Sequence, residues 1–426
     1  MQDTIFALSS GSPPAAIGVV RISGGEAKAT LEELTGALPP PRQASLRRIV
    51  DGQGQILDRG LVMWFPGPRS ATGEDCGELH LHGGRAVVDA VLRRLSALPG
   101  LRGAEPGEFT RRAFENGRLD LAEAEGLADL LAAETELQRQ AAQAGLVDGV
   151  SQAARDWRDR VLMLSAQVES VLDFSDEEDV TDLGEGFWGE CDRLVAEMES
   201  WLARPSAERL REGVRVALAG PPNSGKSSLF NAIIDEPAAI VSPVAGTTRD
   251  VLQRSIAVGG LPLILLDTAG LRENTDGDEI EQVGIARARA ELSRADLVLW
   301  LGPEGEGPQG AIEIEVRQDD PNAEMKMAPA CVVSSVTGYG LSDLFTIIVD
   351  RAKHLLPKPG VAVLNARHRN HVDVALGSLK ERDEWGNILL MAERLRVARK
   401  AFDALLGYSH TEDMLDTLFG QFCIGK

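Results

Sequence analysis

The sequence predicts a multidomain protein of mixed α/β and α class, with an N-terminal α+β domain, a discontinuous helical domain and an inserted α/β domain built on a doubly wound sheet. Three observations predict this fold class. Residues 1–117 mix short strand-like runs with a helical pattern, and residues 211–357 alternate strands and helices. Residues 118–210 and 358–426 repeat apolar side chains at three- and four-residue spacing. Because helical segments flank the α/β segment on both sides, we expect them to form one domain that receives it as an insert.

Short sequence segments predict the strands and helices of each domain. At the N-terminus, AIGVVRIS, GLVMWF and GELHLH predict strands, and AVVDAVLRRLSAL predicts a helix. The longer segments that follow predict helices because apolar residues recur on one face, as at Leu162, Val168 and Leu172. An acidic run at 175–182 predicts a solvated loop, and Gly407 is expected to end the last long helix.

The composition is typical of a globular protein and excludes several classes. The chain has 426 residues, 43% of them hydrophobic, so it is long enough for two or three domains with their own cores. Its net charge is −21. We expect a cytoplasmic protein, since neither an apolar run of about eighteen residues nor an export signal is evident. The cysteines are far apart and form no C-x-x-C pair, which argues against disulfides or a zinc site: Cys76, Cys191, Cys331 and Cys423.

The most informative motif is a glycine-rich loop, GPPNSGKS, at 220–227, which fits the phosphate-binding pattern G-x-x-x-x-G-K-[ST]. Gly220 and Gly225 let backbone N–H groups approach phosphate oxygens, Lys226 suits the β- and γ-phosphates, and Ser227 offers a hydroxyl to Mg²⁺. GVRVALA before the loop predicts a buried strand and SSLFNAII after it predicts a helix. A triphosphate would then lie at a helix N-terminus, where anions are favoured.

Two further segments complete the expected nucleotide site. LPLILLD predicts a second strand that ends at Asp267, a carboxylate suited to hold Mg²⁺ directly or through water. The polar segment AGTTRD between the strands carries Thr247 and Thr248, and Thr248 is the candidate to sense the γ-phosphate through Mg²⁺. We expect the chain to bind a nucleotide and to hydrolyse it.

The attacking water needs a partner other than the residue that follows DTAG. Many small GTPases have a glutamine there, but this chain has Leu271, whose side chain cannot hydrogen-bond water. The next loop supplies several carboxylates that can take that role: Glu273, Asp276, Asp278, Glu279 and Glu281. From these residues alone the choice among them stays open.

Cation and base specificity rest on less regular features. Asn223 lies inside the phosphate loop, where its carbonyl either holds a monovalent cation or serves a turn. The guanine-reading N-K-x-D pattern is replaced by RQDD, in which Asp320 is the candidate base-reading carboxylate. VVSS resembles the later loop that contacts the base, through Ser334 and Ser335. The spacing favours guanine, and RQDD leaves the selectivity open.

Several blocks occur together along the chain: VVRISGG, TGEDCGELHLHGG, GEFTRRAFENGRLDLAEAEGLADL, GPPNSGKSSLFNAI, AGTTRDV, DTAGLRE, DEIEQVGIARA and the terminal FCIGK. With these blocks the chain resembles the MnmE (TrmE) family of tRNA-modifying GTPases over essentially its whole length. The resemblance implies an N-terminal dimerisation and folate-binding domain, a discontinuous helical domain and an inserted G domain.

The resemblance also assigns roles to individual residues. Glu281 would position the catalytic water, and the tail residue Cys423 is a candidate for one-carbon chemistry. Mg²⁺ would be held by Ser227 and Thr248, with Asp267 acting through water, and K⁺ would be surrounded by Asn223, Ser242, Val244 and Thr247. The other nucleotide contacts would be Ser224, Gly225, Lys226, Ser228, Thr268, Ala269, Gly270, Asp320, Ser334 and Ser335. Folate would meet Arg21, Glu78, Arg118 and Lys426.

The implied activity is K⁺-activated GTP hydrolysis by a homodimer that works with the flavoprotein MnmG in a heterotetramer. Together they would add a (carboxymethyl)aminomethyl group to C5 of the wobble uridine of certain tRNAs, with 5-formyl- or 5,10-methylene-tetrahydrofolate as the one-carbon donor. Residues 351–400 carry eleven Lys/Arg against five Asp/Glu and are expected to face tRNA. The alternatives are a ribosome-assembly or regulatory GTPase and a nucleotide-gated scaffold with little turnover.

Overall fold

A computed structural model describes residues 3–173, 183–241, 253–267, 292–316, 325–381 and 387–426. The chain divides into two compact units. The first unit combines Met1–Ala128 with the C-terminal segment Asp403–Lys426, and the second comprises Asp129–Phe402. The four-part division expected from the sequence stays a prediction.

The secondary structure follows the predicted alternation. The strands are β1 Thr4–Leu8, β2 Ile17–Ser23, β3 Ser45–Val50, β4 Ile56–Phe65, β5 Cys76–His82, β6 Leu101–Gly103, β7 Val214–Ala219, β8 Ala239–Val241, β9 Gln253–Val258, β10 Leu261–Asp267, β11 Leu297–Trp300, β12 Ile312–Val316 and β13 Cys331–Val333. The helices are α1 Ala27–Thr35, α2 Arg85–Ser96, α3 Glu108–Glu115, α4 Leu121–Ala132, α5 Glu136–Asp148, α6 Val150–Asp173, α7 Glu185–Leu202, α8 Ala207–Glu212, α9 Lys226–Asp235, α10 Leu341–Lys353, α11 Ala366–Lys380, α12 Ile388–Leu406 and α13 Glu412–Phe419.

The first unit is built on a mixed sheet with strand order β3-β4-β5-β2-β1-β6. Successive strands pair antiparallel except β1 and β6, which run parallel. One face is packed by α1 and α2, and its core includes Val20, Ile22, Leu79, Leu31, Val88 and Leu95. The opposite face carries polar side chains at Arg21 and Glu78, which lie directly across from each other on β2 and β5. Ile5 and Ala7 lie on this second face as well and pack with Phe109 of α3 in a smaller core, so the face is polar around Arg21 and Glu78 but apolar at β1.

The second unit contains a seven-stranded sheet with order β13-β12-β11-β7-β10-β9-β8. Strands β13, β12, β11, β7 and β10 run parallel to one another, and β9 is antiparallel to both β10 and β8. The strands are apolar on both faces, as expected for a sheet covered by helices, and α9 and α10 pack against it. The predicted doubly wound sheet is confirmed.

The helical part of the second unit packs around Trp157 of α6. This side chain is 1% exposed, and its ring lies 5.8 Å from the rings of both Trp201 and Phe402. The buried apolar residues that follow it on α6 are Val161, Leu164 and Val168. From Trp157 onward these residues follow one another at spacings of four, three and four, which defines the face toward the core.

The sequence prediction for this face was partly wrong. Val168 is buried as expected, but Leu162 and Leu172 are only half-buried. Leu162 lies one residue from Val161, so it is rotated by about 100° from the buried face. Gly407 does end the last long helix, with φ +83, and a Cβ there would approach Leu121 Cβ to 2.8 Å. Across the described ranges, no helix is long and apolar enough to cross a membrane.

Candidate functional site

The phosphate-binding loop connects β7 to α9 in the second unit. β7 ends at Ala219 and α9 begins at Lys226, so the loop is held between a buried strand and a helix N-terminus. Gly220 is favoured sterically, because a Cβ there would lie 2.7 Å from Ser224 Oγ and 3.1 Å from the backbone N of Gly302. Asn223 has φ +62, a left-handed backbone that asparagine tolerates better than most residues. The loop therefore has the compact backbone that a phosphate cradle needs.

Lys226 is folded into this loop and is 6% exposed. Its Nζ donates to Pro221 O at 2.7 Å and lies 3.4 Å from Ser224 Oγ. Ser227 and Ser228 follow in the first turn of α9 and are exposed. A buried ammonium and the free end of a helix concentrate positive potential on one spot, which suits a polyphosphate.

Asp267 and Ser334 lie at the carboxyl ends of parallel strands of the same sheet, as the phosphate loop does. Asp267 is the last residue of β10, pairs in register with Leu218 of β7 and is 7% exposed. Ser334 directly follows β13, and its Oγ accepts the Thr337 N–H at 3.3 Å. Ligands of doubly wound sheets bind at this edge. The structure thus places the following residues at or next to strand ends on one edge of the sheet: Asn223, Ser224, Gly225, Lys226, Ser227, Ser228, Asp267, Ser334 and Ser335.

Trp300 was missed by the sequence analysis and forms a wall beside the phosphate loop. A Cβ on Gly302 would lie 2.5 Å from Trp300 Cζ2 and 2.7 Å from Pro221 Cδ. The indole N–H donates to Pro303 O at 2.8 Å. Lys326 Nζ donates to Trp300 O at 2.8 Å and to Glu313 Oε2 at 2.5 Å. The sequence signal that could have found Trp300 is an aromatic residue at the end of a predicted strand, two residues before a Gly-Pro pair.

The remaining nucleotide-site candidates lie outside the described residues. They are Ser242, Val244, Thr247, Thr248, Thr268, Ala269, Gly270, Glu281 and Asp320. Their roles toward Mg²⁺, K⁺, water and base stay predictions.

The polar face of the first unit brings Arg21 and Glu78 together. Arg21 Nη2 lies 3.0 Å from Glu78 Oε1, and Nε lies 3.1 Å from the same oxygen. The guanidinium also lies over the Phe109 ring, 5.8 Å from its centroid. His80 Nε2 meets the other Glu78 oxygen at 3.2 Å. The carboxylate is therefore held by two side chains, and His80 is a second residue that the sequence analysis did not assign.

The C-terminal tail lies against the same unit. The Gly107 N–H points to Cys423 O at 3.5 Å, and Pro106 forms an isolated bridge with Ile424. A Cβ on Gly425 would meet Leu8 O at 2.2 Å, so the backbone of the tail is in close contact with the end of β1. Cys423 is exposed.

Two of the four folate candidates, Arg21 and Glu78, are thus in direct contact. Lys426 is the last residue of the tail, and its N–H donates to Cys423 O at 3.3 Å. Arg118 lies elsewhere, after α3 and next to Gly73, where a Cβ would approach Arg118 Cγ to 3.3 Å. No contact joins Arg118 to the Arg21–Glu78 pair among the contacts of the described residues.

Arg112 forms a buried ion-pair network that the sequence did not reveal. Its side chain is 3% exposed, with Nη1 3.0 Å from Glu74 Oε2 and Nη2 3.0 Å from Glu108 Oε1. Burial raises the pKa of Glu108, but hydrogen bonds from Arg102, the Glu105 N–H and Arg112 outweigh it, so this pKa lies below its usual value. Glu74 also accepts from Ser23 Oγ at 2.7 Å. The network joins α3 to the polar side of β2.

Comparison with known proteins covers the whole chain. A family model described as the GTP-binding protein TrmE N-terminus matches residues 4–118, and one described as the MnmE helical domain matches residues 121–423. The tRNA modification GTPase MnmE of Erythrobacter litoralis is 59% identical over 425 residues, covering 100% of both chains. The chain belongs to the MnmE (TrmE) family.

Two further comparisons complete this result. The tRNA modification GTPase MnmE of Novosphingobium aromaticivorans is 54% identical over 439 residues, again covering 100% of both chains. Among solved structures, the G domain of the T. maritima FeoB iron transporter is 27% identical, with a TM-score of 0.23, and the match covers 33% of this chain and 98% of that one. The assignment to the MnmE family, predicted from the sequence blocks, is confirmed by the full-length relatives.

Proposed function

We propose that this chain is a K⁺-activated GTPase that works with the flavoprotein MnmG on C5 of the wobble uridine of certain tRNAs. The product is a (carboxymethyl)aminomethyl group, added with GTP hydrolysis and a tetrahydrofolate one-carbon donor. The observation that carries the proposal is 59% identity, over the full length, to a protein named tRNA modification GTPase. The phosphate loop and Asp267 at one sheet edge support the nucleotide part.

The donor atoms at this edge fit Mg²⁺ and a triphosphate. Ser227 supplies a hydroxyl and Asp267 a carboxylate, the oxygen ligands that Mg²⁺ prefers, and Thr248 is expected to add a second hydroxyl. When bound, Mg²⁺ neutralises charge on the phosphate oxygens. The chain's own contribution is Lys226, whose ammonium binds the β- and γ-phosphates, and the N–H groups that begin α9.

Potassium would lie beside the phosphates, held by Asn223, Ser242, Val244 and Thr247. The left-handed backbone of Asn223 and its exposed side chain are compatible with an oxygen ligand turned toward the loop. Such a cation stabilises charge that develops in the transition state. Glu281 is proposed to orient the water, as the family resemblance implies; Leu271, which follows DTAG, has no side-chain group that could do so.

Folate is proposed to bind on the polar face of the first unit. Glu78 suits the hydrogen-bonding edge of a pterin, and the cations Arg21, Arg118 and Lys426 suit the carboxylates of the glutamate tail. The Arg21–Glu78 contact and the position of the tail beside β1 support this site. Cys423 lies in that tail and is proposed as a thiol near the one-carbon unit.

A tRNA surface is proposed within residues 351–400. Arg351, Lys358 and Lys400 are exposed there, whereas Arg394 and Arg396 pair with Glu381 and Glu393. The expected assembly is a homodimer that joins MnmG in a heterotetramer in the cytoplasm.

Hydrolysis of GTP and of ATP by the full-length protein, each in KCl and in NaCl, tests the proposal. We expect turnover of GTP alone and strong stimulation by KCl. Hydrolysis of ATP at the same rate as GTP would contradict the proposed specificity for guanine, which depends on Asp320 in the altered RQDD segment. Equal rates of GTP hydrolysis in both salts would contradict the proposal that Asn223 binds K⁺.

Replacement of Glu281 tests the enzyme against the scaffold alternative. Glu281→Ala should lower the GTP turnover number by about 100-fold, the usual effect of removing a group that handles the attacking water. Glu279→Ala in the same loop is the matched control and should keep the wild-type rate. Unchanged hydrolysis in Glu281→Ala, or negligible wild-type turnover, would favour the scaffold.

A further inference from the structure

The second face of the sheet in the first unit is covered at β1 but exposed at β3 and β4. At β1 it packs against Phe109 of α3. On β3 and β4, Leu46 and Leu61 lie directly opposite each other and are 53% and 42% exposed. Leu61 pairs in turn with His80 of β5, which contacts Glu78 on the same face. The exposed part of β3 and β4 therefore continues the face that carries the Arg21–Glu78 contact.

Two arginines lie directly opposite each other on this exposed part of the face. Arg48 of β3 pairs in register with Arg59 of β4, two residues along each strand from Leu46 and Leu61, and both side chains are exposed. Like charges in directly opposite positions of neighbouring strands destabilise a sheet. No carboxylate among the described residues forms an ion pair with either arginine. The fold thus keeps two cations together at a cost, and an anion bound over them would remove that cost.

His82 of β5 extends the arginine pair across a third strand. The register of β4 and β5, continued by two residues, places it next to Arg59. Asp58 accepts the His82 backbone N–H at 2.8 Å, and its other oxygen lies 2.8 Å from Nδ1. The side chain of Asp58 is 9% exposed and that of His82 is 75% exposed. Because both oxygens of Asp58 are occupied by His82, this carboxylate does not neutralise the arginines, and the imidazole is held at the end of a basic row formed by Arg48, Arg59 and His82.

The basic row lies at the end of the sheet that the C-terminal tail contacts. His82 pairs with the β2 residue two positions before Val19. The Ser9 N–H donates to Val19 O at 2.7 Å, and a Cβ on Gly425 would meet Ser9 Cα at 3.0 Å. Three strand spacings separate Arg59 from β1, or about 14 Å at about 4.8 Å each. A few nucleotides of a loop can span this distance to the tail that carries Cys423.

The chemistry of the row suits the phosphates of RNA. Guanidinium groups bind phosphate oxygens through charge-assisted hydrogen bonds. The chain as a whole has a net charge of −21, so two exposed arginines without carboxylate partners are a local excess of positive charge. Leu46 and Leu61 beside the row offer apolar contacts to bases, which are accessible where RNA is single-stranded. An acidic protein surface also suits arginines, but the proposed reaction requires a uridine of tRNA on the folate-binding face.

We propose that the basic row of Arg48, Arg59 and His82 binds phosphates of the tRNA loop that carries the wobble uridine. Arg48 and Arg59 contact the phosphate oxygens, and the bound phosphates offset the repulsion between the two guanidinium groups. The uridine is thereby held on the face that carries the proposed folate contacts. This inference rests on the proposed function and adds a tRNA contact in the first unit to the surface proposed within residues 351–400.

Binding of a tRNA transcript with an unmodified wobble uridine to the full-length protein, measured by fluorescence anisotropy over a range of KCl concentrations, tests the inference. The double variant Arg48→Gln/Arg59→Gln should bind about 10- to 30-fold more weakly at about 0.1 M KCl. Its slope of log K against log [KCl] should be smaller by about 1.4, because two phosphate contacts of about 0.7 each are lost. The matched control is Lys28→Gln/Arg93→Gln, which removes the same charge from exposed positions on α1 and α2. These helices pack on the other face of the sheet, so the control should bind tRNA as wild type does.

The stability of the protein without tRNA gives an independent readout. Arg48→Gln/Arg59→Gln should melt at or above the temperature of wild type, because a repulsion between directly opposite charges has been removed. A clearly lower melting temperature would overturn the inference, since the arginines would then stabilise the free sheet.

The binding outcomes separate this inference from the proposed function. Wild type that does not bind the transcript would overturn the proposed function and the role of the basic row with it. Wild-type binding with the same affinity and salt slope in Arg48→Gln/Arg59→Gln would overturn the role of the row alone. Equal losses in the two double variants would also overturn it, because total charge rather than this face would be responsible. Unchanged tRNA binding with an altered mass in analytical ultracentrifugation would assign the row to contact with a second copy of the chain instead.

Discussion

Arg112 and Glu74 form an ion pair inside the first unit, with Nη1 3.0 Å from Oε2 and the arginine side chain 3% exposed. Arg112 also contacts Glu108, and Glu74 also contacts Ser23 of β2. Helix α3 is thereby linked to the strand that carries Arg21. A buried guanidinium with two carboxylates is costly to desolvate. Its net contribution to the free energy of unfolding therefore depends on all of its partners remaining in place.

Replacement of Arg112 should therefore destabilise the first unit far more than replacement of its neighbour. Arg112→Ala leaves Glu74 and Glu108 without this cation and should cost about 3–5 kcal/mol of unfolding free energy. Arg111→Ala is the control: Arg111 is 29% exposed and pairs with exposed carboxylates, so it should cost about 1 kcal/mol or less. Scanning calorimetry of both variants checks this, and equal losses would contradict it.

Glu108 should make the first unit sensitive to acid. Its pKa is lowered in the folded state because hydrogen bonds from Arg102, the Glu105 N–H and Arg112 outweigh the effect of burial. A lowered pKa means that the unfolded chain takes up the proton first, so the stabilisation is present above the ordinary value of 4.5 and is lost as the pH falls below it.

Glu108→Gln tests this pH dependence. The difference in melting temperature between wild type and Glu108→Gln should be large at neutral pH and shrink as the pH falls through the lowered pKa. Glu115→Gln is a suitable control, because Glu115 is an exposed partner of Arg111 on the same helix. A difference between wild type and Glu108→Gln that is constant with pH would show that the charge of Glu108 contributes nothing.

The sequence predicted the elements that position the phosphate loop and the N-terminal sheet. β7, α9 and β10 lie where the apolar runs and the glycines indicated, because local patterning and loop chemistry decide these elements. The Arg21–Glu78 contact joins residues 57 positions apart. The family resemblance named both residues as folate contacts but did not predict that they pair, since a contact of this kind depends on strand register.

Other features of the sites could not be read from local patterns. The buried environment of Arg112 and the packing of Trp300 beside Gly302 and Pro221 both arise from tertiary packing. In α6, choosing Leu162 as a core residue failed because Trp157 sets the buried face. A large aromatic side chain determines which neighbours three and four residues away are buried.

Gly302→Ala should weaken GTP binding through Trp300. The added methyl group would lie 2.5 Å from Trp300 Cζ2 and 2.7 Å from Pro221 Cδ, so the indole or the phosphate loop must move. Overpacking of this kind costs about 1–3 kcal/mol, and we expect about a tenfold loss of GTP affinity by titration calorimetry. Gly189→Ala, a helical position with open space around it, should bind GTP normally. Wild-type affinity in Gly302→Ala would show that Trp300 does not support the loop.

Gly425→Ala should displace the C-terminal tail and weaken folate binding. Gly425 has φ +97, and a Cβ would lie 2.2 Å from Leu8 O, a backbone atom that cannot rotate away. Because Lys426 and Cys423 lie in this tail, we expect at least a tenfold loss of affinity for 5-formyltetrahydrofolate by titration calorimetry. Gly54→Ala controls for backbone strain, since Gly54 has φ +81 with nothing within 4 Å of a Cβ, and it should bind folate normally. Equal binding by Gly425→Ala and wild type would mean that the tail contributes nothing to the folate site in this position.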